Sequence, residues 1–173
     1  MLSGKRIAIL VEEGFEDSEF VEPMKAMKNV DARVVIVGSG SKDTYTGKRG
    51  SATVTVDTTA EEVSAEDFDG IIVPGGYAPD RMRLHQSIID LVKTAHDSGK
   101  LIAAICHGPQ LLISADIVRG RRVTSWPSIA VDLRNSGAEW VDAPVVQDGN
   151  LITARKPADL PRFNKVIIQA LQD

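Results

Sequence analysis

One cysteine, Cys106, occurs in 173 residues, and it stands in the run Ile105-Cys106-His107-Gly108-Pro109. A thiol followed by an imidazole supplies the two groups that nucleophilic catalysis needs, an attacking sulfur and a base to take its proton. The apolar run Leu101 to Ile105 reads as a strand and Gly108 to Val118 as a helix, so the pair falls on a strand-to-helix turn. Helix N-terminal N–H groups there are expected to lower the thiol pKa and favour the reactive thiolate. The geometry parallels the nucleophile elbow of serine hydrolases, although GxSxG is absent. The plain alternative is an inert buried cysteine; a strand-end position with His, Gly and Pro following argues for the reactive reading. His107 could serve as general base, as a hydrogen-bond orienter or as a turn residue, and only a sharp elbow lets adjacent side chains converge. A histidine base usually needs a carboxylate on its far nitrogen, and loops at the same sheet edge carry Glu16, Asp17, Glu19 and Asp80. Pro74-Gly75-Gly76-Tyr77-Ala78-Pro79 follows another core strand and reads either as an oxyanion hole of backbone N–H groups or as a simple turn. Most of the acidic run Glu12 to Glu22 is read as favourable charge at a helix start. His85 and His96 suit surface positions.

The elements that must hold these groups alternate strand and helix. Arg6 to Val11, Arg33 to Val37, Gly70 to Val73 and Leu101 to Ile105 are short continuous apolar runs, as expected of strands buried on both faces. Between them lie a helix through Phe20, Val21, Met24 and Met27, capped by Asp17 or Ser18 and starting late or kinked at Pro23, and a helix with a Leu84, Ile88, Leu91, Val92, Ala95 stripe closed by Gly99. Tyr45 to Asp57 reads as a small hairpin or edge excursion, Glu61 to Phe68 as a short helix, Arg122 to Thr124 as a short strand and Pro127 to Asn135 as a helix. Val145 to Thr153 reads as a hairpin turning at Asp148-Gly149-Asn150, and Leu160 to Leu171 as the last helix. Strands joined by crossover helices imply a mostly parallel α/β sheet covered on both faces, in one domain over residues 1–173, with its ligand site beyond the strand C-termini.

Several function classes fall away. A single cysteine allows no intrachain disulfide and no multi-thiolate zinc site, and the three histidines have no metal-ligand spacing, so no metal is expected. The first strand is followed by acidic Glu12-Glu13-Gly14-Phe15-Glu16-Asp17, which would repel phosphate, and neither GxGxxG nor GxxxxGK[ST] is present; no nucleotide cofactor is expected. A net charge of −4 with both signs interspersed gives no case for nucleic acid or anionic membrane as the main partner. No apolar run approaches the ~20 residues of a membrane span, and the N-terminus lacks a signal-peptide pattern, so a cytoplasmic location is expected.

The segments Phe15-Glu16-Asp17-Ser18-Glu19, Pro74 to Asp80, Ala104 to Gln110, Gly137-Ala138-Glu139-Trp140, Thr153-Ala154-Arg155 and Pro157 to Leu160 together resemble the PfpI family of intracellular cysteine proteases. That family lies within the superfamily of Parkinsonism-associated deglycase-like proteins and class I glutamine amidotransferases. The resemblance spans essentially the whole chain. It implies a flavodoxin-like three-layer sandwich, Cys106 as nucleophile, and a mostly protonated Glu19 donating a hydrogen bond to the thiolate, since a second negative charge there would oppose ionisation. It implies an oxyanion site made by the backbone amides of Gly76 and His107. It also implies that the third triad member reaches His107 from a neighbouring subunit; the matching residue is Asp80, one methylene shorter than the family's glutamate, and the catalytic unit would then be a homodimer or higher homo-oligomer. Trp126, with Tyr77, falls near the substrate pocket or packs hydrophobically. No cofactor is implied. Such relatives act as proteases, glyoxalases or deglycases, which share thiolate attack on an electrophilic carbon. With no groove-building insertion, small carbonyls such as methylglyoxal, glyoxal or their early protein adducts are favoured, in a stress-protective role, with peptide hydrolysis second. A redox sensor or chaperone with an oxidisable Cys106 is the non-enzymatic alternative.

Overall fold

Apolar runs with no polar face can be satisfied only between two layers, and that is where they lie in the computed structural model, which describes all 173 residues. The chain runs β1 (Arg6–Val11), α1 (Asp17–Asn29), β2 (Arg33–Gly38), a hairpin of β3 (Thr44–Thr46) and β4 (Thr53–Thr55), β5 (Thr58–Thr59), β6 (Gly70–Val73), α2 (Ala78–Met82) and α3 (Gln86–Asp97). It continues with β7 (Leu101–Ile105), α4 (Pro109–Ser114), β8 (Arg122–Val123), α5 (Ala130–Asn135), β9 (Glu139–Trp140), a hairpin of β10 (Val145–Asp148) and β11 (Leu151–Ala154), and α6 (Leu160–Gln172). Seven strands form one sheet in the order β10-β11-β7-β6-β1-β2-β5. Its pairings are parallel except β10 with β11. Every residue of β6, β7 and β11 is buried. Helices α1 and α6 pack on each other and cover β1, β2, β7 and β11, while α3 packs against β6, β7 and α4. The doubly covered, mostly parallel sheet is thus the one the sequence predicts. No helix is long and apolar enough to cross a membrane.

The chain enters the sheet at its centre, lays β2 and β5 to one side of β1, then returns to put β6 on the other side. The loops after β1 and β6 therefore meet at a switch in strand order, where such sheets form crevices. They are stitched together: Phe15 bridges Gly76, the Glu16 N–H donates to the Gly75 carbonyl at 3.1 Å, and the Tyr77 N–H donates to the Gly14 carbonyl at 2.8 Å.

Local chemistry overrides several sequence expectations. Neither Asp17 nor Ser18 caps α1; Glu16 occupies the cap position without a side-chain bond, and the helix runs on through Pro23. The Asp17 carboxylate is engaged elsewhere, accepting from Arg49 N, Ser51 N, Ala52 N (each 2.9 Å) and Ser51 Oγ (2.8 Å). The neighbouring acids do the same kind of work. Glu12 takes the hydroxyls of Ser39 and Ser41, Glu13 pairs with Lys42 at 2.5 Å and accepts Thr46 N at 2.8 Å, and Glu16 pairs with Lys48 and Arg49. The acidic run thus clamps the excursion between β2 and β5, and helix-start charge is its lesser role. Residues 61–68 form no helix: Val63 is extended and Ser64 starts a new 3₁₀ turn with a capping box to Asp67, leaving turns at Ala60–Glu62 and Ala65–Asp67. Leu84 precedes α3 and is 83% exposed, so it is not part of the stripe. Helix α4 ends at Ser114, ahead of Asp116, which adopts φ +53°. Pro127 opens a 3₁₀ turn before α5. The two-residue β9 pairs with β8 and carries no periodic signal.

Burial alone would raise the Asp17 pKa; the N–H of Arg49, the Ser51 hydroxyl and the N–H groups of Ala52 and Ser51 outweigh it and hold the carboxyl below its ordinary value. A depressed carboxyl stabilises the fold above its unfolded pKa and loses that contribution as pH falls through its folded value. Asp17→Ala should therefore destabilise the protein by about 3 kcal/mol at neutral pH, with the gap narrowing toward about pH 3. Urea unfolding at both pH values checks this; a loss below about 1 kcal/mol at neutral pH would contradict the clamp.

Candidate active site

Cys106 adopts φ +62°, a conformation that costs a non-glycine residue energy and persists only when its neighbours fix it. They do so on both sides: the Cys106 N–H donates to the Ala154 carbonyl at the end of β11, and the Cys106 carbonyl accepts from Trp126 N, each at 2.9 Å. The kink between β7 and α4 turns two adjacent side chains toward each other, leaving Sγ 3.4 Å from His107 Nδ1. The convergence that a regular strand would forbid is present.

Glu19 projects from α1 and is completely buried. Its Oε1 accepts the Gly75 N–H at 2.9 Å, while Oε2 is buried with no hydrogen-bond partner. Burial, and then the charge of Glu16, push the Glu19 carboxyl up to about 8, against the Gly75 N–H, Lys48 and Cys106, so it carries a proton at neutral pH. Gly75 is what lets the acid and the thiol stand this close: a Cβ there would lie 2.5 Å from Glu19 Oε1 and 2.8 Å from the Cys106 Cβ. Gly76, at φ +80°, turns the chain so that its N–H, with that of His107, favours the ionised form of the Cys106 sulfur.

The expected lowering of the thiol pKa is not what the surroundings produce. Cys106 is 8% exposed, and burial, followed by the charge Glu19 would carry when ionised, pushes it up to about 12, with the His107 and Gly76 N–H groups pulling the other way. Helix α4 has only six residues, and the two N–H groups do not offset the loss of water. A protonated Glu19 removes the repulsive contribution, so Glu19 and Cys106 are one unit: the acid keeps the proton that lets the sulfur lose its own. Burial and then the Lys48 charge hold the His107 pKa below its ordinary value, leaving a neutral imidazole ready to accept a proton.

The mouth of the site is an open pocket of about 330 Å³ whose wall includes Lys48, Gly76, Tyr77, Asp80, Arg81 and His107; Cys106 itself is not part of that wall. Tyr77 lies where expected, 62% exposed. Asp80 shares the pocket with His107 and makes no hydrogen bond to it within the chain. Trp126 lines no wall of this pocket; its ring stacks on His107 at a centroid distance of 6.3 Å and 25°. Lys48 and Arg81 are the site residues that sequence reasoning missed. The only signal for Lys48 was a basic turn in the excursion that follows β2, beyond the same sheet edge. His85 and His96 are half-buried: His85 Nε2 lies 3.8 Å from Glu12, and His96 Nε2 lies 2.8 Å from Arg121 Nη1. No group of three or more His, Cys, Asp or Glu side chains converges as metal ligands. Three hollows are larger: two, about 440 and 470 Å³, lie at the other end of the sheet beside Lys5 and Lys100 and beside Arg6 and Arg33, and one of about 420 Å³ lies between the starts of α1 and α6, beside Ser18, Glu22 and Leu160.

Because the Glu19 carboxyl is raised, the stability it permits is complete below its unfolded pKa and declines as pH rises toward about 8. Glu19→Gln should therefore be more stable than the native chain at pH 8, by an amount on the order of 3 kcal/mol, and equal or less stable near pH 4. Thermal unfolding across that range checks the sign; a variant less stable throughout would contradict a buried proton.

Residues 5–170 match the DJ-1/PfpI family. The chain is 42% identical over 168 residues to Protein/nucleic acid deglycase 2 of Escherichia coli K12, covering 96% of this chain and 98% of that one. It is 42% identical over 171 residues to General stress protein 18 of Bacillus subtilis, covering 98% and 99%. A crystal structure of a two-domain Anabaena variabilis protein with DJ-1/ThiJ/PfpI-like and ferritin-like domains superposes with a TM-score of 0.95 at 43% identity. That match covers 97% of this chain and 48% of the other, so this chain spans about half of it. With the elbow, the glycine pair and the buried acid in one place, and the match running from Lys5 to Ala170, this chain belongs to the DJ-1/PfpI family.

Proposed function

We propose that this chain is a cysteine-dependent, cofactor-free enzyme that removes small reactive carbonyls, such as methylglyoxal, glyoxal or their early adducts on proteins, in stress protection. The observation that carries this reading is the strained Cys106 with His107 Nδ1 at 3.4 Å and the buried Glu19 carboxyl packed across Gly75 from it. The names of its relatives, a deglycase and a general stress protein, agree with it.

In this reading an aldehyde enters the pocket and Sγ attacks its carbon as the thiol proton moves to His107. The C–S bond forms, the carbonyl π pair moves to oxygen, and the resulting oxyanion accepts the N–H groups of Gly76 and His107. Glu19 stays neutral and donates its proton in a hydrogen bond toward the sulfur. His107 hands the thiol proton to that oxyanion; for a 2-oxoaldehyde the neutral imidazole then carries the hemithioacetal C–H proton to the adjacent carbonyl carbon while the hydroxyl proton passes to that carbonyl's oxygen. That internal exchange leaves a thioester beside a new alcohol. Water cleaves the C–S bond, releasing a 2-hydroxy acid and the free thiol, so substrate plus one water equals product. A pocket of about 330 Å³ suits such substrates better than a folded-out peptide. The carboxylate orienting His107 is, in this proposal, Asp80 of a second copy, with a homodimer as the catalytic unit; its exposed place on the rim, unbonded to its own imidazole, supports that assignment.

Lactate formation from methylglyoxal tests the reading. Cys106→Ala should lower kcat/KM by about a thousandfold or more, and His107→Ala by about a hundredfold, both with the native fold. A pure Cys106→Ala protein retaining turnover within tenfold of the native chain would overturn it.

A further inference from the structure

The hairpin turn that carries Lys48 is anchored more heavily than an exposed turn needs. Besides the four bonds to Asp17, the Lys48 N–H donates to the Phe15 carbonyl at 2.9 Å and the Gly14 N–H donates to the Thr46 carbonyl at 3.0 Å. The turn is thereby fixed to the same loop that bridges Gly76. Lys48 is delivered on this platform: its side chain is 28% exposed, its Nζ lies 3.2 Å from Glu16 Oε2 and 5.1 Å from the Tyr77 ring centre, and it lines the pocket that also holds Gly76 and His107. Glu16 has a second cation, Arg49, whose Nε lies 2.5 Å from Oε1. The ammonium can therefore turn to another anion without stranding a buried carboxylate. Arg81 stands on the same wall, donating Nη1 to the Glu13 carbonyl at 2.9 Å, which leaves its charge unneutralised. Against these two cations the wall sets one carboxylate, Asp80.

We propose that Lys48, with Arg81 on the same wall, forms an anion subsite beside Cys106 that takes a carboxylate carried on the carbon that becomes bonded to sulfur. The site then prefers aldehydes bearing such a group, of the glyoxylate type, over neutral aldehydes of the same size. This rests on Cys106 as the nucleophile: Gly76 and His107, whose N–H groups would take the new oxyanion, line the same pocket as Lys48 and Arg81, so a carboxylate on the carbon bonded to sulfur enters the space those two cations face. The Lys48 charge already reaches the reacting groups, lowering the pKa of both His107 and Glu19.

A pair of alkylating reagents reads the subsite without requiring turnover. With iodoacetate and iodoacetamide the Cys106 sulfur bonds to the CH2 carbon while the C–I pair leaves as iodide. The reagents differ only in carboxylate against carboxamide. The iodoacetate-to-iodoacetamide rate ratio should fall about three- to tenfold in Lys48→Met, as expected for a partly exposed charge pair. It should be retained in Lys48→Arg, fall by a smaller factor in Arg81→Gln, and shrink with added salt. In parallel, glyoxylate should inhibit methylglyoxal turnover more strongly than glycolaldehyde, and lose that advantage in Lys48→Met. An unchanged ratio in Lys48→Met overturns the proposal, as do equal falls in both rates, which place the lysine's effect on the thiol or the turn. A folded protein that neither reagent alkylates overturns it as well. A shifted ratio in a protein inactive on methylglyoxal sinks the carbonyl-turnover reading and leaves the subsite standing.

Discussion

A carboxyl group removed from water keeps its charge only when a cation or several donors replace the lost hydration. Glu19 has one donor, the Gly75 N–H, and the charge of Glu16 acts on it more strongly than the opposing charge of Lys48. It therefore holds a proton, and that proton lies against the one thiol of the chain. The rest of the site follows from the contact. A glycine is required where acid and thiol nearly touch, the elbow must turn the sulfur toward α1 and toward His107, and the backbone N–H groups of Gly76 and His107 must face the sulfur. A charged group in place of the neutral acid would hold the thiol proton on, because two anions at that separation cannot both ionise.

The acidic loop after β1 shows how the surrounding structure supports this centre. A run of acids at a helix start looks like dipole complementarity, but Glu12, Glu13, Glu16 and Asp17 each close on a different part of the segment from Ser39 to Ala52. The excursion that seemed peripheral in the chain becomes a wall of the pocket, and the loop is tied on its other side to the glycine pair after β6. The three segments are bonded into one unit, which is what a site sensitive to small displacements requires.

Much of the architecture was legible because it rests on strong local signals. The unbroken apolar runs at Arg6 to Val11, Gly70 to Val73 and Leu101 to Ile105 are the buried parallel strands, and Asp148-Gly149-Asn150 marks the β10–β11 turn. The elbow was legible too, since a Cys-His pair between such a strand and Gly-Pro has few other places to sit. What was not legible depended on partners distant in the chain. Asp17 looks like a cap until a turn 32 to 35 residues downstream arrives to claim it. The pKa of Cys106 cannot be read from its position on a turn, because burial outweighs the N–H groups of His107 and Gly76. Lys48 has no periodicity and no motif; only the hairpin's docking brings it beside His107. Residues 61–68 have a helical look in apolar spacing, and Ser64 alone breaks them in two.

The account stands on a single proton residing on Glu19 at neutral pH. Carbon-13 NMR of glutamate-carboxyl-labelled protein, compared with Glu19→Gln to assign the signal, follows that group directly. The account expects the Glu19 carboxyl resonance at its protonated shift at pH 7, moving to the carboxylate shift with a midpoint of about 8. A resonance already at the carboxylate shift at pH 6 would contradict it, for the sulfur would then face a fixed negative charge and the arrangement described would work against its own chemistry.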